Sequence, residues 1–173
     1  MADIMLVDGY NVLGAWPELA AVKEESLEHA RAKLMDILAS YGAYKDYRVV
    51  IVFDAHAVSG TASRSETLPG GAEVVFTAEG ETADSYIERL TYQLVRSGQG
   101  VYVVTSDRDQ QFAVLGSGAW RISARELRLS VLAAEKEVRA GYTEADRQHR
   151  RQELGGRVDE EVRKRLDALR RGL

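Results

Sequence analysis

Asp8, Asp54, Asp84 and Asp107 are the residues of this chain whose type and placement could do chemistry together. Asp8 follows the apolar run Ile4-Met5-Leu6-Val7, and Asp54 follows Val49-Val50-Ile51-Val52-Phe53. Asp107 comes directly after Val101-Tyr102-Val103-Val104-Thr105-Ser106, and Asp84 opens the helical pattern that succeeds Val74-Val75-Phe76. Each alone suits a helix cap or a turn, because a short carboxylate accepts the orphan N–H groups found there. Four at equivalent places are harder to explain that way. Like charges within about 4 to 6 Å raise one another's pKa and cost stability, so a shared cation is expected to offset them. The chain has no cysteine, and its three histidines (His29, His56, His149) are scattered. The donor set is therefore hard oxygen, which suits Mg2+ or Mn2+ rather than zinc. A dication held by carboxylates polarises a phosphoryl oxygen and acidifies a bound water, which is the chemistry of phosphodiester hydrolysis.

On this reading Asp8, Asp84 and Asp107 are the catalytic metal ligands, and Asp54 is either a fourth ligand or a hydrogen-bond partner of one. Glu81 lies three residues before Asp84, on the same side of the helix entrance, while Asp109 faces solvent in the turn after Asp107. Asn11 either orients a water, bonds a phosphate, or is an ordinary turn residue.

The elements that must position these groups can be read from hydrophobic period. The runs Ile4 to Val7, Val49 to Phe53, Val74 to Phe76 and Val101 to Thr105 predict buried strands, with a fifth near Trp120 to Ile122. Leu27, Ala30, Leu34, Ile37 and Tyr41 predict a helix that Gly42 stops. Ala83, Ile87, Leu90 and Leu94 predict another, capped by Thr82 and ending near Gly98. Ser123-Ala124-Arg125-Glu126 is a capping box for a helix burying Leu127, Val131, Ala134 and Val138. Strands alternating with helices predict an α/β three-layer sandwich around a mostly parallel sheet of about five strands. In such sheets ligands bind beyond the carboxyl ends of the strands, the edge where the four aspartates fall. The Ser/Thr/Gly-rich stretch from Ala55 to Gly71 predicts a long functional or mobile connection.

The chain's 173 residues suit one compact body with an appendage rather than two cleft-forming domains. The net charge of −4 conceals an asymmetry: residues 139 to 173 hold 10 Lys/Arg against 7 Asp/Glu, while the part before them is acidic. Beyond Gly141 the apolar spacing thins. Thr143 is a candidate cap for a short helix, Gly155-Gly156 a break, and Val158, Val162, Leu166 and Leu169 the stripe of a last helix. The expected division is a body over residues 1–140 and a basic helical C-terminal extension over 141–173. No apolar run approaches the roughly 20 residues of a membrane span. Met1-Ala2-Asp3 lacks the basic start of a secretory signal, so the expectation is a cytoplasmic protein without a membrane partner.

The segments Leu6-Val7-Asp8-Gly9-Tyr10-Asn11-Val12, Val52-Phe53-Asp54-Ala55-His56, Glu81-Thr82-Ala83-Asp84 and Thr105-Ser106-Asp107 together resemble the YacP-like branch of the NYN domain family, whose fold is similar to PIN nucleases. The match spans roughly residues 3 to 138, with four motifs in order. The resemblance implies a metal-dependent endoribonuclease, associated with the ribosome and cutting mRNA in the ribosomal A site. It places the acidic centre at Asp8, Asp84 and Asp107, with Asn11 and Asp54 in neighbouring motifs. The basic extension then fits contact with ribosomal RNA. Arg64, at the tip of the long stretch, and Arg121, Arg125 and Arg128 around the last strand and helix, are candidates for RNA phosphates, although any one arginine alone is commonly a solvated charge. Tyr10 and Trp16 either stack on an unpaired base or pack in the core.

Other readings fit less. A phosphoacceptor receiver domain would use Asp54, but it needs paired acids after the first strand and a lysine where Ile122-Ser123-Ala124-Arg125 stands. A nucleotide site would need a glycine-rich loop, and Asp8-Gly9-Tyr10-Asn11-Val12-Leu13-Gly14 lacks both the spacing and the lysine. The remaining alternative is a non-catalytic ribosome- or RNA-binding module on a nuclease fold.

Overall fold

The apolar runs become strands of one sheet, interleaved with helices. The computed structural model describes residues 2–55, 63–106 and 116–170, with backbone alone at 152–163 and 166–170. In chain order the elements are β1 (Ile4–Asp8), α1 (Gly9–Ala15), α2 (Pro17–Glu25), α3 (Leu27–Lys45), β2 (Arg48–Phe53), β3 (Arg64–Thr67), β4 (Glu73–Phe76), α4 (Ala83–Arg96), β5 (Val101–Val104), β6 (Trp120–Ile122) and α5 (Ala124–Arg170). The chain divides into two compact units, Met1–Leu132 and Ala133–Leu173, and α5 contributes to both.

The described sheet has the order β3-β4-β2-β1-β5-β6. All neighbours are parallel except β3 and β4. The order reverses at β1, since the chain leaves it for β2 and β4 on one side and returns to β5 and β6 on the other. Such a reversal opens a crevice at the carboxyl edge of the strands.

Side chains alternate between the two faces because a strand has a period of two. Ile4, Leu6, Val50, Val52, Val101 and Val103 pack with Ala83 and Ile87 of α4 on one face. The opposite set includes Met5, Val7, Ile51 and Phe53, and α1 to α3 supply Val12, Leu13, Trp16, Leu19, Ala30, Leu34 and Leu38, all buried. Burial of each large apolar side chain contributes about 1.5–3 kcal/mol.

Two caps form as the sequence predicts. Thr82 accepts from the Ser85 N–H at 3.1 Å, and Gly98 lies just beyond the end of α4. Ser123 and Glu126 bond reciprocally, at 3.1 and 2.8 Å. The Ser123 N–H stabilises the charged Glu126 carboxyl and lowers its pKa.

Four expectations are corrected. Gly42 does not stop α3, which continues to Lys45 before Asp46 turns left-handed at φ 59°. A Cβ at Gly42 would stand 2.6 Å from Val49 Cγ2 and 3.0 Å from the Tyr47 carbonyl, so this glycine lets the helix lie against the start of β2. Residues 9–25, left without an element by the hydrophobic period, form α1 and α2. Each is under three turns, too short for a clear stripe, and Pro17 begins the second where a missing N–H costs nothing.

The third correction is a sixth strand, β3, inside the stretch read as a connection. Its residues Arg64-Ser65-Glu66-Thr67 are all exposed, so no apolar alternation marks them. The turn Leu68-Pro69-Gly70-Gly71 pairs it with β4: Gly71 N–H donates to the Leu68 carbonyl at 3.1 Å, and Gly70 has φ 92°, the proline-then-glycine order of a type II turn. The fourth concerns α5, which is unbroken through Gly141 and Gly155-Gly156. Glycine costs only about 1 kcal/mol in a helix interior, and no proline follows to enforce a break. Thr143 is not a cap; its Oγ1 donates back to the Arg139 carbonyl at 2.9 Å.

Arg128 of α5 holds Glu18 of α2, its Nε donating to Oε1 and Oε2 at 3.0 and 3.1 Å. This bond lowers the Glu18 pKa below its ordinary 4.5. A depressed carboxylate stabilises the fold above its unfolded pKa and loses that contribution as pH falls through the folded one. Glu18→Gln is therefore expected to lower the melting temperature slightly at pH 7, with the gap to the unsubstituted protein closing below about pH 4. A gap that persists unchanged at pH 3 in thermal melts would show that the pair's charge is not what the substitution removes.

Candidate active site

The carboxyl edge of the sheet is built strand by strand. Asp8 ends β1 in register with Val52, and Asp54 comes two residues later on the neighbouring strand, just past β2. Asp8 also serves as N-cap of α1, its Oδ1 accepting the Asn11 N–H at 3.5 Å. Residue 9 is glycine, and a Cβ there would collide with the Phe53 ring, so this glycine lets the start of α1 lie against the end of β2. Asp84 is exposed in the first turn of α4, next to the buried Ala83, which packs among Leu6, Val52 and Val103. That packing brings the start of α4 to the edge where Asp8 lies. Asp8, Asp54 and Asp84 are each engaged by neighbouring groups.

Asp107 and Asp109 lie outside the described residues. The approach to Asp107 is fixed from both sides. Thr105 N–H donates to the Ile122 carbonyl at 3.1 Å, and Ser106 N–H donates to Asn11 Oδ1 at 3.0 Å. Asn11 thus joins the helix that Asp8 caps to the segment leading into Asp107, a positioning contact across 95 residues that its local sequence does not announce.

The oxygen chemistry of these acids suits a hard dication. Among the described residues, no three His, Asp or Glu are grouped closely enough to hold a metal ion. Glu81 is committed elsewhere, its Oε1 accepting from Arg89 Nη1 at 2.7 Å.

Basic residues stand at both ends of the same edge. Arg64 is not at a loop tip: it begins β3 in register with Phe76, its guanidinium 5.0 Å from that ring's centre. Arg125 is exposed in the first turn of α5, where the preceding Ala124 N–H meets Ser106 Oγ at 3.4 Å. Arg128 faces Glu18, and Arg121 lies on β6 opposite Val103. Trp16 is a core residue, 1% exposed, with Nε1 donating to the Ala124 carbonyl at 2.8 Å. It is closed to any base. Tyr10 is half-buried, its ring 5.1 Å from Phe53.

One functional candidate escapes the sequence reading. Arg31 of α3 donates from Nη1 to the Tyr10 hydroxyl at 3.1 Å and lies 5.9 Å from the centre of Phe76. No local signal marks it, because its partners Tyr10 and Phe76 lie on α1 and β4, distant in the chain.

A three-layer α/β body with carboxylates in the middle of its carboxyl edge and arginines at the ends is a nuclease-type architecture. Similarity to known proteins agrees: the YacP-like NYN domain family is matched over residues 5–171. The chain belongs to that family. It is 41% identical to the YacP protein of Bacillus subtilis (strain 168) over 172 residues, 98% of each chain. The crystal structure of Rae1 (YacP) from Bacillus subtilis superposes with a TM-score of 0.72 at 40% identity, covering 98% of this chain and 95% of that one. A point variant of the same protein gives 0.68 at 43% identity, over 80% and 79%. Among the described residues no helix is long and apolar enough to cross a membrane.

Proposed function

We propose that this protein is a divalent-metal-dependent endoribonuclease that cleaves mRNA on the translating ribosome, in the A site. The observation that carries the reading is the charge order along one sheet edge: Arg64, then Asp54 and Asp8, then Ser106 leading to Arg125. Asp8, Asp84 and Asp107 would hold Mg2+ or Mn2+, which when bound supplies a polarised phosphoryl oxygen and a water acidic enough to attack near neutral pH. Asn11 fixes the backbone before Asp107. Arg64 and Arg125 bind phosphates to either side of the scissile one, giving affinity that is independent of sequence and sensitive to salt. Specificity then comes from the ribosome, on which the basic C-terminal extension docks, in the cytoplasm.

The test uses a 5′-labelled single-stranded RNA and, in parallel, translating ribosomes carrying a defined mRNA. Protein stripped with EDTA is expected to leave both intact, and added Mg2+ or Mn2+ to restore discrete internal cuts. Cuts that persist in EDTA end the metal-dependent assignment. No cutting in either setting, with RNA binding retained, leaves the non-catalytic module.

A further inference from the structure

At the β4 end of the sheet, one ring organises two cations. Phe53, Phe76 and Arg64 lie in one cross-strand row, because Phe53 pairs with Phe76 and Phe76 with Arg64. Phe53 and Phe76 stack at 5.7 Å, and Tyr10 closes on Phe53 from α1. Arg31 and Arg64 stand 5.9 and 5.0 Å from the Phe76 centre, which bounds their separation at about 11 Å. Tyr10 takes one Arg31 donor through a neutral oxygen. A guanidinium carries five N–H donors, so most of its fork remains to be directed elsewhere.

Two like charges gathered on one ring repel each other, and Glu66 offsets Arg64 only weakly, at 3.7 Å between well-exposed side chains. A polyanion would relieve that repulsion. The need is mutual: an edge centred on Asp8 and Asp54 repels RNA unless positive groups stand next to it. Guanidiniums already held by ring faces and a hydroxyl also lose less freedom on binding than free side chains do.

We propose that Arg31 and Arg64, held over Phe76, form a phosphate-binding subsite that takes the RNA strand beside the carboxylates. The inference rests on the nuclease reading above for its ligand, and its test separates the two. Full-length protein in the Asp8→Asn background, so that RNA stays intact, is titrated into a fluorescein-labelled single-stranded oligoribonucleotide in Mg2+ at several KCl concentrations, followed by anisotropy. Arg31→Gln with Arg64→Gln is expected to weaken binding by about tenfold or more and to flatten the dependence of log K on log salt by about 0.7 for each phosphate no longer neutralised. Arg64→Gln alone, at an exposed position, should show part of both effects with an unchanged melting temperature. The control is Arg48→Gln, the same charge change at the amino end of β2, where Arg48 pairs with Glu73 at 2.8 Å; it should stay within about twofold of the parent. Affinity and salt slope equal to the parent's in the double variant, or a weakening no greater than that of Arg48→Gln, overturn the subsite and leave the nuclease reading standing. No RNA binding by the parent or the unsubstituted protein overturns both.

Discussion

Asp8→Asn is expected to lower Mg2+- or Mn2+-dependent RNA cleavage by at least about 100-fold, the scale on which losing one charge-stabilising group slows a reaction. The substitution isolates charge from fold. Asp8 caps α1 by accepting the Asn11 N–H, and asparagine caps as well as aspartate does, since its amide oxygen accepts the same bond. The melting temperature should therefore barely move, and co-sedimentation with ribosomes should be retained. Asp8→Ala removes the cap as well and should cost about 1 kcal/mol of stability in addition. The informative comparison is cleavage against melting temperature across the two variants. Equal cleavage by Asp8→Asn and the unsubstituted protein would end the hydrolase assignment.

The largest effect on stability should come from Trp16. Its side chain is 1% exposed between α1 and α2, and its indole N–H donates to the Ala124 carbonyl at the start of α5. Trp16→Ala should cost about 3–5 kcal/mol through reduced burial and the cavity left behind. That is a large share of the roughly 5–15 kcal/mol by which a domain is stable. Trp16→Phe keeps most of the apolar volume and removes only the indole N–H bond to a carbonyl that α5 also uses, for about 0.5–1.5 kcal/mol. Urea unfolding measured by circular dichroism gives both values, with Trp120, the other tryptophan, as a second probe by fluorescence. Destabilisation under about 0.5 kcal/mol for both variants would place the indole outside the core and reopen it as a stacking surface for RNA.

The two predictions read opposite ends of one chain segment. Residues 8 to 16 hold a carboxylate that the fold brings to the sheet edge and an aromatic ring that the fold removes from it. Both residue types are common at RNA-cleaving and RNA-binding sites. Only burial tells them apart here.

Local chemistry made much of this protein legible before any coordinates. Val49 to Phe53 has nowhere to go but a sheet interior, and an aspartate directly after such a run falls on the carboxyl edge whatever the tertiary arrangement. Thr82 and Ser123-Glu126 mark helix starts because a cap acts across three residues. These signals placed Asp8, Asp54 and Asp84 on elements that end or begin at one edge. Tertiary structure decided the rest. The exposed strand Arg64 to Thr67 has no apolar alternation and exists only because the Pro69-Gly70 turn lays it on β4. The Asn11 contact with Ser106, the indole bond to Ala124 and the gathering of Arg31 and Arg64 on Phe76 each join residues that no local period connects. A cap or an alternation is settled by neighbours a few residues away, whereas a pairing between distant side chains depends on sheet register and helix packing, which the assembled core alone fixes.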